Sequence, residues 1–274
     1  MEKKTVLVLV PHPDDAEFYA GGTICKMVDE GDQVVLVTAT DGGKASFHTT
    51  SPELVIQRND EARRGSKLLG ITTLIMLDYP DFELDQLPPG KLREQFIRLV
   101  RLYKPDIVIA EDAMFINEVH PDHKAVAMAA SDAVSFSHLA LIYPRHLAEG
   151  LSPHFVVEKY FFSDNLAAAN KIVDISATFE RKIAALGEHR SQVEFLVEEI
   201  FMEAKLAGIN VANLLGEAAS DPLATIRWAL QAQAVEIGKS AGYQYAEAFR
   251  YTRFHPYIEG ILQTQGSALD ERAS

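Results

Sequence analysis

His12, Pro13, Asp14 and Asp15 follow directly on the apolar run Thr5 to Val10, and His120, Pro121, Asp122 and His123 come shortly after a second run, Ile107 to Ala110. Each tetrapeptide offers imidazole nitrogens and carboxylate oxygens, the donor set of a zinc-type cation. Two histidines three apart at a helix start project from nearly the same face, so either can join His12 and one carboxylate around a divalent ion. Three protein ligands leave a position for water, whose pKa such an ion brings towards neutrality. Asp14 and Asp15 are consecutive, so their side chains diverge: one can ligate while its neighbour takes the proton of that water. One of the later histidines can act as acid to a leaving group, and the chemistry this describes is hydrolysis. Taken alone, each tetrapeptide is more often a cap or a solvated turn. Two of them, each after a separate buried strand, make a metal site the better reading.

The elements that must position these groups are legible in the hydrophobic pattern. Val6 to Val10, Gln33 to Ala39, Thr73 to Leu77 and Ile107 to Ala110 are short runs rich in Val, Ile and Leu, as expected of parallel strands buried on both faces. Between them Gly22 to Glu30, Pro52 to Leu69 and Leu92 to Tyr103 are amphipathic and end at Gly31, Gly70 and Pro105. Strand and helix in alternation predict a Rossmann-like, doubly wound α/β fold with a mostly parallel sheet. Right-handed crossovers put the loops after the strands on one rim, so His12 and the segment after Ala110 share it. Further on, Val156 to Phe162 and Ile172 to Ile175 read as strands, whereas Thr178 to Gly187, Val193 to Ala207 and Leu223 to Lys239 read as helices. One domain is expected over 1–274, with an α/β core to about residue 175, a C-terminal helical elaboration over about 176–244, and a returning segment over about 245–257. Residues 266–274 form a polar tail.

The chain has 274 residues, 47% of them hydrophobic, and a formal charge of −13. That charge repels phosphate backbones and anionic lipid, and no basic cluster offsets it, so neither nucleic acid nor membrane is an expected partner. Cys25 is the only cysteine, which excludes a disulfide framework and a thiol metal cluster and fits the cytoplasm. No signal-like segment or span of membrane length is present.

His12-Pro13-Asp14-Asp15 with Glu17 and Gly21-Gly22-Thr23-Ile24, followed by His120-Pro121-Asp122-His123, resembles the PIG-L or LmbE-like family of zinc-dependent N-acetylglucosamine deacetylases. The resemblance continues through Thr40-Asp41-Gly42, Arg58 with Glu61-Ala62-Arg63, Pro105-Asp106, Lys182 to Gln192, and Tyr245 to Phe249. It implies one zinc ion per chain on His12, Asp15 and His123, with Asp14 as general base. His120 would protonate the leaving amine or stabilise the oxyanion. It further implies that Arg58 holds sugar hydroxyls and that Asp41 lines the pocket. Glu17 would support the first loop from behind, and Asp122 would either brace a ligand or cap the helix it begins. The implied substrate is a small N-acetylated amino sugar, and relatives of this type form trimers or hexamers.

His189, in the stretch His189-Arg190-Ser191-Gln192, reads as structural, and His48, His138, His146, His154 and His255 lack ligand spacing. Glu118 departs from the aromatic residue that mycothiol-type members place two positions before the first histidine of the second motif; a carboxylate there should face away from a developing anion or meet the amine or sugar. Diacetylchitobiose-type deacetylases are the nearest analogy. A bacillithiol- or mycothiol-type deacetylase, acting on a glucosaminyl-malate or -inositol, or a conjugate amidase, is the alternative. Outside the family stands a dinuclear metallophosphoesterase, which needs more ligands than the chain offers. A nucleotide-binding module lacks the Gly-x-Gly-x-x-Gly turn after the first strand.

Overall fold

The computed structural model describes residues 3–114, 117–254 and 257–262. His255, one further residue of the expected returning segment and the tail 266–274 lie outside them. Thirteen of the described elements run in the order β1 (Thr5–Val10), α1 (Asp15–Asp29), β2 (Gln33–Thr40), α2 (Ser51–Leu69), β3 (Thr73–Tyr79), α3 (Lys91–Tyr103), β4 (Ile107–Glu111), α4 (Pro121–Phe136), α5 (Arg145–Ala148), β5 (Glu158–Phe162), β6 (Lys171–Asp174), α6 (Phe179–Leu186) and α7 (Arg190–Leu206). They are followed by α8 (Val211–Leu215), α9 (Pro222–Lys239) and β7 (Ala246–Thr252).

Among the described residues these strands form one seven-stranded sheet in the order β3-β2-β1-β4-β5-β7-β6. The first five run parallel, and β7 enters antiparallel to both β5 and β6. The chain winds outward from β1 to β3 and then restarts on the other side with β4. The crevice between the ends of β1 and β4 is therefore a topological switch point, where ligands of open α/β sheets bind. This is the expected doubly wound fold.

Alternation along β1 shows why the sheet is covered on both sides. Leu7 and Leu9 face one layer with Phe96, Ile97 and Val100 of α3 and Val126, Ala130 and Ala133 of α4. Val6, Val8 and Val10 face the other with Ala16, Ala20 and Ile24 of α1, Leu69 of α2 and Ala185 of α6. Full burial of side chains like these stabilises the fold by roughly 1.5–3 kcal/mol each. The six runs expected to be strands hold β1 to β6, with Val156, Val157 and Ile175 falling outside them; the largest departure is α1, which begins at Asp15 rather than near Gly22. Gly21 and Gly22 look like breakers, but they sit inside the helix for packing: a Cβ on Gly22 would lie 2.7 Å from Ile175, and one on Gly21 would lie 3.1 Å from Lys182. The first helical turn therefore falls on the first motif itself.

The helices after β6 pack into two small apolar clusters, Ile175, Phe179, Ile183 and Ala234, and Leu186, Val193, Val197 and Ile226. No helix among the described residues is long and apolar enough to cross a membrane. A polar staple ties this region to α1. Buried Glu247 of β7 accepts from the backbone N–H of Gly22 (3.0 Å) and of Thr23 (2.8 Å) and from Lys182 Nζ (2.6 Å). Removing one member of a buried ion pair leaves the other charge uncompensated, at about 3–5 kcal/mol. Glu247→Ala should lose stability of that order in urea titration, and the double substitution Lys182→Met with Glu247→Leu should lose less than Glu247→Ala alone.

Candidate active site

The turn after β1 closes on itself: the backbone N–H of His12 donates to Asp15 Oδ2 at 2.7 Å. Between them Asp14 sits at φ 144°, where residues with a Cβ are strained. Arg58 of α2, 2% exposed, holds that shape. Its Nη2 donates to Pro13 O (2.9 Å) and Asp14 Oδ1 (3.0 Å), and its Nη1 donates to Gly42 O (2.9 Å). The turn after β2 leans on the same construction, because Asp41 Oδ1 accepts from the N–H of Gly43 (3.0 Å) and of Asp81 (3.1 Å). A register shift between Thr38 and Thr40 precedes it, a common device for re-aiming a strand end beside a site.

His12 Nε2 lies 3.2 Å from Asp81 Oδ1 and 3.5 Å from Asp122 Oδ2. Carboxylates only accept, so Nε2 carries the hydrogen and Nδ1 the lone pair. His123 Nδ1 lies 2.8 Å from Glu111 Oε2, which puts its lone pair on Nε2. These two lone pairs face each other, His12 Nδ1 and His123 Nε2 standing 3.2 Å apart. Asp15 completes a triangle, with Oδ2 3.4 Å from His12 Nδ1 and Oδ1 3.7 Å from His123 Nε2. Tetrahedral coordination with bonds of about 2.0–2.2 Å has ligand-to-ligand edges of about 3.3–3.6 Å. With both rings neutral, two ring nitrogens and the Asp15 carboxylate, spaced in this way, fit a divalent cation.

His12, His120 and His123 also lie close enough to share an ion, as do His12, Asp81, His120 and Asp122. In the latter group the carboxylates are already engaged. Asp122 accepts from the N–H of Phe82 (2.6 Å) and Leu84 (3.0 Å), and Asp81 Oδ2 accepts from the N–H of Lys44 (3.0 Å). His120 caps α4, its Nδ1 accepting from the N–H of Asp122 at 3.2 Å, so its hydrogen is on Nε2.

The electrostatics favour positive charge at this centre, carried as protons on the two imidazoles until a cation displaces them. Burial works to lower His12, yet Asp122, Asp15 and Asp81 together hold it well above the usual imidazole range. Burial likewise opposes a charged His123, but Asp15 and Glu111 hold it at about 9. Burial pushes against ionised Asp15, and His123 and His12 outweigh it, leaving this carboxyl far below its ordinary value. Asp14 differs from its neighbour: burial raises it to about 6, with Arg58 pulling down and Asp15 pushing up. His120 is lowered by burial and by facing His12 and His123.

The structure thus brings His12, Asp15 and His123 together, with Asp14 and His120 beside them. Asp122 lies behind His12 and does not cap α4. Arg58 and Asp41 both build the walls of the first loop, and Arg58 is directed at Asp14 rather than outward. Glu17 stands apart from the ligands, buried against His189 Nε2 at 3.3 Å across a gap left by Gly65. Glu118 turns inward, Oε1 accepting from the N–H of His120 at 2.7 Å. Sequence reasoning missed Asp81 and Glu111. Both follow predicted strands on the same rim, and that position was the available signal.

The family model described as PIG-L, GlcNAc-PI de-N-acetylase, matches residues 7–134, a span that holds both motifs. The diacetylchitobiose deacetylase of Thermococcus kodakarensis is 31% identical over 90% of this chain and 83% of its own length. The chain belongs to the PIG-L family. Deacetylase chemistry, expected from the two motifs, is the chemistry of this family. A second PIG-L relative, a probable N-acetyl-α-D-glucosaminyl L-malate deacetylase 2 of Bacillus cereus, is 30% identical over 77% of this chain and 93% of its own. The structure of N,N'-diacetylchitobiose deacetylase from Pyrococcus horikoshii, complexed with its inhibitor MPG, superposes with a TM-score of 0.75. It is 28% identical and covers 92% of this chain and 85% of that one.

Partners that orient a ligating histidine typically contribute 10- to 100-fold to metal affinity. Glu111→Ala should weaken divalent-ion binding by about 10- to 100-fold, measured by competition with a chromophoric chelator.

Proposed function

We propose that this PIG-L family member is a zinc-dependent hydrolase that removes the acetyl group from an N-acetylglucosamine-type sugar of the diacetylchitobiose class. One observation carries the reading: His12 Nδ1, Asp15 and His123 Nε2 lie 3.2–3.7 Å apart, with lone pairs turned inward when the two rings are neutral. Two nitrogens and a carboxylate oxygen are a donor set suited to zinc, at one ion per chain. When bound, the ion supplies Lewis acidity that polarises the acetamide carbonyl and lowers the pKa of an adjacent water.

The residues of the chain supply the rest. Asp14 takes the proton of the attacking water; its carboxyl at about 6 is ionised at neutral pH yet basic enough to accept. Arg58 anchors Asp14 Oδ1 and so fixes the direction of that transfer. His120 keeps a hydrogen on Nε2, which can stabilise the carbonyl oxygen as negative charge develops. Its lowered pKa favours a neutral donor over an imidazolium, and the proton gathered by Asp14 can then go to the departing amine. Acetate and a free amino sugar are the products.

The diacetylchitobiose class is supported by the extent of the match to the Thermococcus and Pyrococcus enzymes. A bacillithiol-type glucosaminyl-malate substrate is the second reading, supported by nearly equal identity to the Bacillus cereus relative. A single domain is supported by the sheet, which continues from β4 through β5 and β7 to β6. Assembly into a homo-oligomer is supported by exposed apolar residues on and around the later helices, among them Leu206, Leu214 and Trp228. Buried, unpaired Cys25 suits a reducing cytoplasm.

Acetate release, measured with divalent ions added back to N-acetylglucosamine, diacetylchitobiose and glucosaminyl-malate, tests the class directly; no release from any of them would refute it. About one zinc per chain is expected, and two would favour the dinuclear reading. Asp14→Asn should lower kcat by about 10²- to 10⁴-fold with metal content unchanged. A base must be deprotonated to act and a bound cation lowers its pKa, so kcat/KM should fall on the acid side at or below about 6.

A further inference from the structure

Phe82 borders this site with a side chain that the fold does not explain. Its backbone lies at φ 65°, a region that bulky residues rarely adopt. Its ring is 52% exposed and belongs to neither apolar layer covering the sheet. The surroundings account for the backbone alone. The buried Asp122 carboxylate accepts from the N–H groups of Phe82 and Leu84, and Asp81 next to it accepts from His12. Glycine would satisfy this left-handed turn better than any other residue, so the presence of phenylalanine needs a separate reason.

The ring stands edge-on to His120, with centroids 5.2 Å apart and planes at 86°. His120 in turn lies 4.8 Å from His12, centroid to centroid. The phenyl group is therefore one side chain away from where the acetamide must react. Half its surface is open, so it cannot enclose a methyl group as a pocket would. It offers instead a flat, electron-rich face beside the scissile bond, matched in size and charge to the C–H face of a pyranose, whose hydrogens are weakly positive.

We propose that Phe82 is a substrate-contacting, specificity-determining residue whose ring is the platform on which the sugar ring of the substrate stacks. The assignment rests on the amino-sugar reading above. Contact with a part of the substrate that does not react is made equally in ground state and transition state, so its loss appears in KM and not in kcat.

Phe82→Gly suits the backbone and removes only partly exposed surface, so its thermal midpoint should stay at or above that of the wild type. With diacetylchitobiose its KM should rise about 10-fold, with kcat within about 3-fold. Inhibition by acetohydroxamate, which mimics the reacting amide without a sugar, should be unchanged. Phe82→Tyr should restore KM, whereas Phe82→Leu should not. An unchanged KM, a loss confined to kcat, equal rescue by leucine, or a parallel loss of acetohydroxamate binding would each overturn the proposal. Wild-type protein that releases no acetate from any amino sugar would refute the functional reading and this inference with it. An active wild type with an indifferent Phe82→Gly variant refutes this inference alone.

Discussion

The direction of two lone pairs governs this site. An imidazole has two nitrogens and one hydrogen, and which nitrogen presents a lone pair depends on what the other one touches. Asp81 and Asp122 hold the hydrogen of His12 on Nε2, and Glu111 holds that of His123 on Nδ1. Both rings are thereby turned lone-pair-first towards each other and towards Asp15. With the opposite tautomers the two rings would point hydrogens at that centre, and the same three side chains would repel a cation. The carboxylates behind the histidines are thus as necessary as the histidines, and each comes from the end of a different strand or from the first turn of α4.

Two adjacent aspartates acquire opposite characters from this arrangement. Asp15 lies among imidazoles and is held strongly acidic; Asp14 is turned away by its φ of 144°, buried, and answered by one guanidinium. The strain in that turn is maintained by Arg58, which ties Asp14, Pro13 and Gly42 together from a helix on one face of the sheet. Arg58 acts on reactivity through the carboxylate it holds.

Much of this was legible from residue order. Runs of Val, Ile and Leu mark β1, β2 and β4 because a strand covered on both faces tolerates little else, and the topology then places both His-Pro-Asp motifs on one rim. The start of α1 was hidden, since Gly21 and Gly22 carry a helix-breaking signal whose real cause is the approach of Ile175 and Lys182 from a distant part of the chain. Asp81 and Glu111 were hidden for a different reason: a lone acidic residue after a strand is common, and only three-dimensional pairing with a ring nitrogen distinguishes these two. The side chain of Arg58 could equally have pointed outward, and no local pattern records which way it turns.

The staple between Glu247 and α1 also bears on how the molecule comes into being. The helix that opens the site is made well before the carboxylate that anchors its middle, which is more than 200 residues downstream. β7 must also insert between β5 and β6 rather than add at an edge. A nascent chain can therefore form the β1–β4 layer early, but its site helix stays without this anchor until β7 is threaded into place. Such long-range closure is slow and exposes unfinished sheet in the meantime, so the competence of the site is a late event in folding even though its first motif precedes β7 by more than 200 residues.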